Sequence, residues 1–499
     1  MERIVLKKPF GISRTLNTIL LLIFSLLAFM VMGYHPGMED DAVYLSAVKS
    51  ILNPALYPHD ADFFRLQLQA TLFHHWIASF VRFTHLPLPA TELLFQFLSI
   101  ALILAACRSI VQVLFNDERV QWAGVALVAA MLTLPVSGAA IYIADQHLHP
   151  RNIATALVLL SVSRILRNRP WHAVPLLLLA FVLHPIMALF GISFCFFLTL
   201  AQLDPVHAWL RSFSTAFASA VPLGWVLESP NAAWHRALET RSYMFLYRWT
   251  WYEWLGTVAP LILFGLLWWL AIRHGDSKLA RFAIAVFAYG IVHQAASMIV
   301  LASPSLIRIT PMQPMRYLQL VYIFMVLIAG CLIGKFFIKG NPFRWAAFLA
   351  LPCFGMFAAQ RALLVASPHL ELPGMSPTNP WLEAFAWIRG NTPTNAYFAM
   401  DPNYLAAPGE DYHSFRALAE RSQLADLIKD SSVVTQVPEL APRWEQQTIA
   451  TAGWSQFKLA DFERIKSRFG VDWALVSNSA PTGLDCKWHN GELAVCKIP

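Results

Sequence analysis

Charge is what this chain has least of. Of its 499 residues only 13% are Asp, Glu, Lys or Arg, while 57% are hydrophobic. A soluble globule carries about a quarter charged residues, so a charge this sparse excludes a water-solvated surface along most of the chain. Several chemical signatures are missing too. There is no Gly-rich nucleotide loop, no Ser/His/Asp arrangement and no Cys-x-x-Cys pair. The net charge of +7 sits in short loops and forms no basic block interleaved with aromatics, which argues against nucleic acid as a partner. No small-x-small cleavage site precedes Tyr34-His35-Pro36, so the first apolar run, Leu16 to Met32, reads as a retained helix.

What is present is a series of apolar windows of roughly 20 residues, the length that spans a bilayer. Mean hydropathy is +0.50. The fold class is a polytopic α-helical membrane protein with about eleven transmembrane helices and a small soluble α/β domain at the C-terminus. The expected spans begin with Leu16–Met32, Glu92–Phe115, Val120–Ile143 and Ile153–Leu166. Two short helices follow between His172 and Leu203, divided at His184-Pro185 because Pro disfavours helix before it. Val206–Leu227, Trp254–Ile272, Ala280–Ala302, Tyr317–Gly334 and Phe343–Leu364 complete the set. Arg3, Lys7, Lys8 and Arg14 precede the first span, and Arg119, Arg164, Arg167, Arg169, Arg273, Lys335 and Lys339 recur at alternate loops. The positive-inside rule then makes the N-terminus cytoplasmic and the C-terminal domain extracytoplasmic. The expected division is 1–366 for the membrane domain, with a large first outer loop at 34–90, and 367–499 for the outer domain.

From about Ser367 the composition changes, and Pro368, Pro373, Pro377 and Pro380 mark a linker. Helices are expected over Pro380–Arg389 and Asp461–Phe469, the latter capped at Gly470. Short strands are expected at Ala396–Met400, Thr448–Ala450 and Trp473–Val476. Cys486 and Cys496 flank Asn490-Gly491, a strong hairpin signal. The two cysteines fall near opposition, where a disulfide is feasible. Disulfides persist in an oxidising compartment; two reduced thiols are the alternative. Cys107, Cys195, Cys331 and Cys353 lie in or beside apolar runs and read as small hydrophobes.

The candidate chemistry gathers just outside the spans. Gly37-Met38-Glu39-Asp40-Asp41-Ala42 puts three carboxylates where a chain leaving hydrocarbon needs none. Asp40 or Asp41 is the candidate general base, and two carboxylates together would also suit a divalent cation beside a phosphate. The alternative is that they charge the start of a helix over Asp40–Leu52. Gly37 would let backbone approach a ligand. Asp145, His147, His149 and Arg151 crowd a second outer turn that suits a metal or a pyrophosphate, or else simply starts a helix at Asn152. Arg308 and Arg316 stand outside the ninth and tenth spans, where arginine suits a phosphate at the bilayer surface or snorkels to the interface. Glu39 and His147 join them as candidate substrate contacts, and Asp41 with Asp145 is the candidate metal pair. His184 reads as structural.

This pattern resembles the GT-C superfamily of integral-membrane glycosyltransferases. The shared features are a first helix, a large outer loop opening on an acidic pair, short hydrophobic spans and a C-terminal outer domain. Protein mannosyltransferases, lipid A aminoarabinose transferases and oligosaccharyltransferases are of this kind. The stretches Trp387-Ile388-Arg389-Gly390-Asn391-Thr392-Pro393 and Phe469-Gly470-Val471-Asp472-Trp473 are similar to the outer domain of bacterial members. The Trp-Trp-Asp type motif of oligosaccharyltransferases is absent. The resemblance implies inverting transfer of a sugar from a polyprenyl-phosphate donor to a glycan, lipid or protein acceptor, in a bacterial inner membrane. Asp40 or Asp41 would be base or metal ligand, and Arg316, with Arg308, would meet the lipid phosphate. A divalent cation such as Mg or Mn is the implied cofactor. Two other functions fit the composition. A transporter or flippase of a lipid-linked or amphipathic substrate would need internal repeats and mid-membrane polar residues, and neither is evident. A non-catalytic envelope assembly protein would tolerate loss of Asp40 and Asp41.

Overall fold

The computed structural model describes residues 13–203, 230–477 and 482–499. Among them, seven helices are long and apolar enough to cross a membrane: Arg14–Met32, Leu88–Leu114, Pro185–Gln202, Trp251–Arg273, Ser277–Ala302, Pro314–Ile338 and Pro342–Leu363. Three more of the expected spans correspond to shorter helices, Glu118–Ala130, Pro150–Leu166 and Val174–Leu183. The expected span Val206–Leu227 lies outside the described residues.

Packing follows the apolar faces. The Leu88–Leu114 helix lies against Arg14–Met32 and Pro150–Leu166, and Glu118–Ala130 lies against Leu318–Ile333. Close approach there needs small residues: a Cβ on Gly124 would come within 2.5 Å of Cys331 Sγ, and one on Gly330 within 2.7 Å of the Ala123 carbonyl oxygen. His184 breaks the 174–202 stretch as expected, and its Nδ1 accepts the Met187 N–H at 3.3 Å, capping the second half.

The third expected span is corrected. Its helix stops at Ala130, and residues 131–144 double back inside the bundle, with Pro135 bridged to Tyr142. Pro135 cannot donate, and Ser137 and Ala140 both adopt positive φ, so a helix cannot continue. The reversal satisfies its own backbone, with Val136 N–H to Ile141 O at 2.9 Å and Ala144 N–H to Leu132 O at 2.8 Å. Such irregular backbone is tolerated where protein buries it, as at Leu132, Val136 and Ile143, or where it lines a cavity, as at Pro135 and Ala140.

The C-terminal region carries a five-stranded sheet: β1 (Tyr397–Ala399), β2 (Ser422–Gln423), β3 (Trp473–Ser477), β4 (Asp485–His489) and β5 (Leu493–Lys497). The order is β2-β1-β3-β5-β4, parallel from β2 to β3 and antiparallel beyond. Side chains alternate between two apolar layers. Phe398, Leu475 and Val495 pack with the Pro380–Asn391 helix, while Tyr397, Ala474 and Cys496 pack with Leu459–Phe469. Cys486 and Cys496 face each other across β4 and β5 and are joined by a disulfide. The expected strand Thr448–Ala450 is instead the end of a helix, Ala441–Ala450. Its β-branched residues suggested a strand, but Trp444, Gln447 and Thr448 recur at helical spacing and are buried.

This region is fastened to the loop that follows the Arg14–Met32 helix. Arg416, fully buried, pairs with Asp60 of that loop and forms a fork on Asp430 at 2.8 and 2.9 Å. Tyr57 donates to the Arg416 carbonyl at 2.9 Å. Phe63 and Phe64 of the loop, Trp234 and Leu238, and Val433 and Trp444 close a shared apolar cluster.

Candidate functional site

A cavity of about 860 Å³ opens at the end of the bundle where the C-terminal region docks. Four places in the chain build its polar wall: the acidic turn, the turn at 142–151, residues 308–316, and the Lys429–Gln436 helix. Its other wall is apolar. Phe181, Leu189 and Met312 line it and are 42%, 55% and 43% exposed.

The acidic turn is not a helix cap. Residues Glu39–Ala42 form one turn of 3-10 helix, and the following Tyr44–Leu52 helix has no side-chain cap. Glu39 takes a left-handed φ of 52°, strain of a kind that a helix cap does not call for. Its N–H is held by the Tyr412 carbonyl at 3.0 Å. The turn separates the two aspartates. Asp41 points inward, 3% exposed, and its Oδ2 accepts the Gly37 N–H at 2.8 Å. Burial, then the Glu92 carboxyl, push its pKa well above the carboxylate range, a direction that favours its protonated form. Asp40 faces the cavity with 36% of its side chain exposed. Burial alone would raise it, but Lys429 at 3.2 Å and His149 at 3.3 Å overcome that and hold it well below the carboxylate range. Glu39 also faces the cavity and pairs with Lys429. Gly37 does not meet a ligand here. A Cβ on it would strike Leu418 at 2.6 Å, so its role is to admit the C-terminal region.

The second turn is rigid. Asp145 takes a two-pronged pair from Arg151, with Nε at 3.0 Å. Its N–H donates to Asn152 Oδ1 at 3.0 Å, and its carbonyl accepts from Gln96 at 2.7 Å. Burial would raise the Asp145 carboxyl; Arg151, then His149, bring it down to about 2. His149 caps the Pro150–Leu166 helix through Nδ1, which accepts the Arg151 N–H at 3.0 Å. A neutral His149 therefore carries its proton on Nε2, the nitrogen facing Asp40. Tyr44 meets its ring edge-on, with centroids 4.8 Å apart. His147 is buried with Nε2 unpartnered, and burial pushes its pKa down to about 3. The turn does start a helix, at Pro150 with His149 as its cap rather than at Asn152, and His149 also lines the cavity.

Cations oppose the acids. Arg308, Arg316 and Arg241 all line the cavity. Arg316 Nε donates to Gln313 Oε1 at 2.6 Å, Arg308 stacks over Trp234 at 5.8 Å, and Arg241 Nη2 donates to Ser431 Oγ at 2.6 Å. With Arg151 and Lys429 they set five cations around the acids of the cavity.

The expected metal pair does not come together as one. Asp41 is turned inward onto the Gly37 N–H, and both Asp145 oxygens are held by Arg151. Lys429 occupies the position on Asp40 that a divalent cation would take. These residues do not fit Mg or Mn.

No protein-family model and no curated protein matches the sequence. Solved structures do align. The Archaeoglobus fulgidus oligosaccharyltransferase in its apo form gives a TM-score of 0.49 at 11% identity, over 93% of this chain and 70% of that one. AglB of the same organism, in complex with an inhibitory peptide and a dolichol-phosphate, gives 0.47 at 10%, over 93% and 69%. A third, with Zn and sulfate, gives 0.45 at 13%, over 92% and 68%. The likeness lies in the overall course of the chain, and the functional reading rests on the cavity.

Sequence reasoning missed Lys429, whose place at Asp40 depends on docking 389 residues away. It also passed over Arg241, which the loop sequence offers no way to tell from Arg236 or Arg248.

Proposed function

We propose that this protein is a GT-C type membrane glycosyltransferase. It moves a sugar from a polyprenyl-phosphate donor to an acceptor hydroxyl or amine at the outer face of the membrane, with inversion. The observation that carries this reading is one cavity holding an ionised, exposed Asp40 opposite Arg241, Arg308 and Arg316, beside an apolar wall. Arginines suit the donor phosphate, the apolar wall suits its lipid chain, and the carboxylate suits the acceptor.

In this mechanism the acceptor oxygen or nitrogen attacks the sugar C1 as the bond from C1 to the phosphate oxygen breaks. Arg308 and Arg316, with Arg241, stabilise the charge that grows on the leaving phosphate. Asp40 takes the proton from the acceptor. With Lys429 at 3.2 Å it is a weak base, so the proton passes late, once the acceptor has become acidic by bonding to an oxocarbenium-like sugar. Asp41 stays protonated and positions the turn. The carboxylates already have protein counter-ions, so no step runs through a divalent cation.

In this reading residues 1–366 form the membrane domain and 367–499 the outer domain. The N-terminus is cytoplasmic and the C-terminal domain periplasmic, in a bacterial inner membrane. The Cys486–Cys496 disulfide supports an oxidising side for that domain. Arg119, Arg164, Arg167, Lys335 and Lys339 stand at the helix ends away from the cavity, as the positive-inside rule asks.

The test supplies membranes containing the protein with radiolabelled polyprenyl-phosphate sugars and a crude envelope acceptor. Label transfer that Asp40→Asn abolishes supports the reading. Donor that crosses the bilayer without transfer of label points instead to a transporter.

A further inference from the structure

Apart from the cavity, His35, Glu371 and His413 meet where three distant parts of the chain join. His35 follows the first span, Glu371 lies in the linker, and His413 precedes the Phe415–Ala419 helix of the C-terminal region. Each offers one ligand atom, and these atoms all lie within 4.8 Å of one another. His35 Nδ1 is 2.7 Å from Glu371 Oε1, and His413 Nε2 is 3.0 and 3.1 Å from the two Glu371 oxygens. Both histidines are fully buried, while Glu371 keeps 13% of its side chain exposed.

The hydrogen bonds fix what His413 can do. Its Nδ1 lies 3.1 Å from the Glu410 carbonyl, a pure acceptor, so Nδ1 carries a proton. In the neutral ring Nε2 then presents a lone pair to the Glu371 carboxylate, acceptor against acceptor. Only a second proton or a cation between them resolves the clash. Two imidazoles and one carboxylate are a common zinc donor set, in which a ligand histidine gives its other N–H to a carbonyl, as His413 does. Glu371 also lines a separate cavity of about 200 Å³ bounded by Tyr34, Pro373 and Leu418, which leaves room for water beside its carboxylate.

We propose that His35, Glu371 and His413 form a zinc site that staples the linker and the C-terminal region to the exit of the first span. The site is independent of glycosyl transfer. It stands or falls separately from Asp40, and its effect is on docking. Bound metal would replace the second proton on His413, so affinity rises with pH as that proton is released.

The test uses the full-length protein purified in detergent from zinc-supplemented cells and dialysed without chelator. Elemental analysis is expected to find about one zinc per chain in wild type. His413→Gln and Glu371→Gln should each lose it, and His413→Cys, which retains a ligand, should keep it. A strong chelator should lower the Tm of wild type and of His413→Cys but leave His413→Gln unchanged. Cobalt(II) exchanged into the wild type should give the visible bands of a tetrahedral site, and this readout serves if the glutamine variants fail to fold. Two results overturn the proposal. One is wild type that carries no zinc and gains no Tm on adding it, which leaves a protonated His413 paired with Glu371. The other is zinc retained equally by His413→Gln, which places the metal elsewhere.

Discussion

Arg416→Met should loosen the C-terminal region from the membrane bundle, and the structure sets the size of the effect. The guanidinium is the counter-ion shared by two buried carboxylates, Asp60 of the loop after the Arg14–Met32 helix and Asp430 beside Lys429. Asp60 Oδ1 has no partner and Oδ2 would keep only the Gln423 N–H, so its charge would be left without a counter-ion. Removing one member of a buried ion group costs about 3–5 kcal/mol, because an uncompensated charge remains. At roughly 2–4 °C per kcal/mol this lowers the Tm of the docked region by roughly 6–20 °C. The assay is scanning fluorimetry in detergent, with protease sensitivity of the 380–499 region as a second readout. A triple variant, Asp60→Asn, Arg416→Met and Asp430→Asn, removes all three charges. Its amides can still accept the Gln423 and Asp426 N–H groups that now bond these acids at 3.0 Å each. It should recover at least half of the loss. The reasoning is refuted if the single variant melts with wild type, or if the triple variant melts below the single one.

Other expectations follow from the site. Asp41 has a raised folded-state pKa, so its contribution to stability is complete below the unfolded value of 3.8 and is lost as pH rises towards the folded value. Asp41→Asn should therefore melt above wild type at pH 7, with the gain shrinking towards pH 4; a gain that is flat with pH contradicts the assignment. Lys429→Met should slow transfer about 10- to 100-fold, while adding it to Asp40→Asn should change little, since both act on one carboxylate; initial rates across the four-member cycle decide this. Arg308→Ala and Arg316→Ala should each cost about 1.5–3 kcal/mol of charge-assisted phosphate binding, roughly 10- to 150-fold in kcat/KM. Titration with short-chain polyprenyl phosphate as a competitor checks that the loss lies in binding the phosphate.

Much of the helical frame was legible because periodicity and length carry it. The break at His184-Pro185, the cap at Gly470 and the hairpin at Asn490-Gly491 are local signals, and local chemistry decides them. The reversal at 131–144 was not legible. Its residues are as apolar as a span, and only burial by neighbouring helices lets such a run abandon helix. Thr448 was misread because its hydroxyl can bond back to the Trp444 carbonyl, as it does at 2.9 Å, and so sits comfortably in a helix. At the site, the acidic turn stood out by its position, but adjacent carboxylates look alike in sequence. What separates Asp40 from Asp41 is the strained Glu39 and the arrival of Lys429 and His149 on one side only. Gly37 was visible as a special position, yet its neighbour, Leu418, comes from the other end of the chain.

The most direct measurement compares Asp40→Asn with Asp41→Asn in the same transfer assay, each checked for expression and Tm. Asp40 is open to the cavity and held towards its ionised form by Lys429 and His149, whereas burial favours the protonated form of Asp41, and an Asn there can accept the same Gly37 N–H. The account predicts that Asp40→Asn abolishes transfer from the polyprenyl-phosphate donor while Asp41→Asn keeps most of it. Transfer that survives Asp40→Asn in a folded protein, or that Asp41→Asn alone destroys, contradicts it.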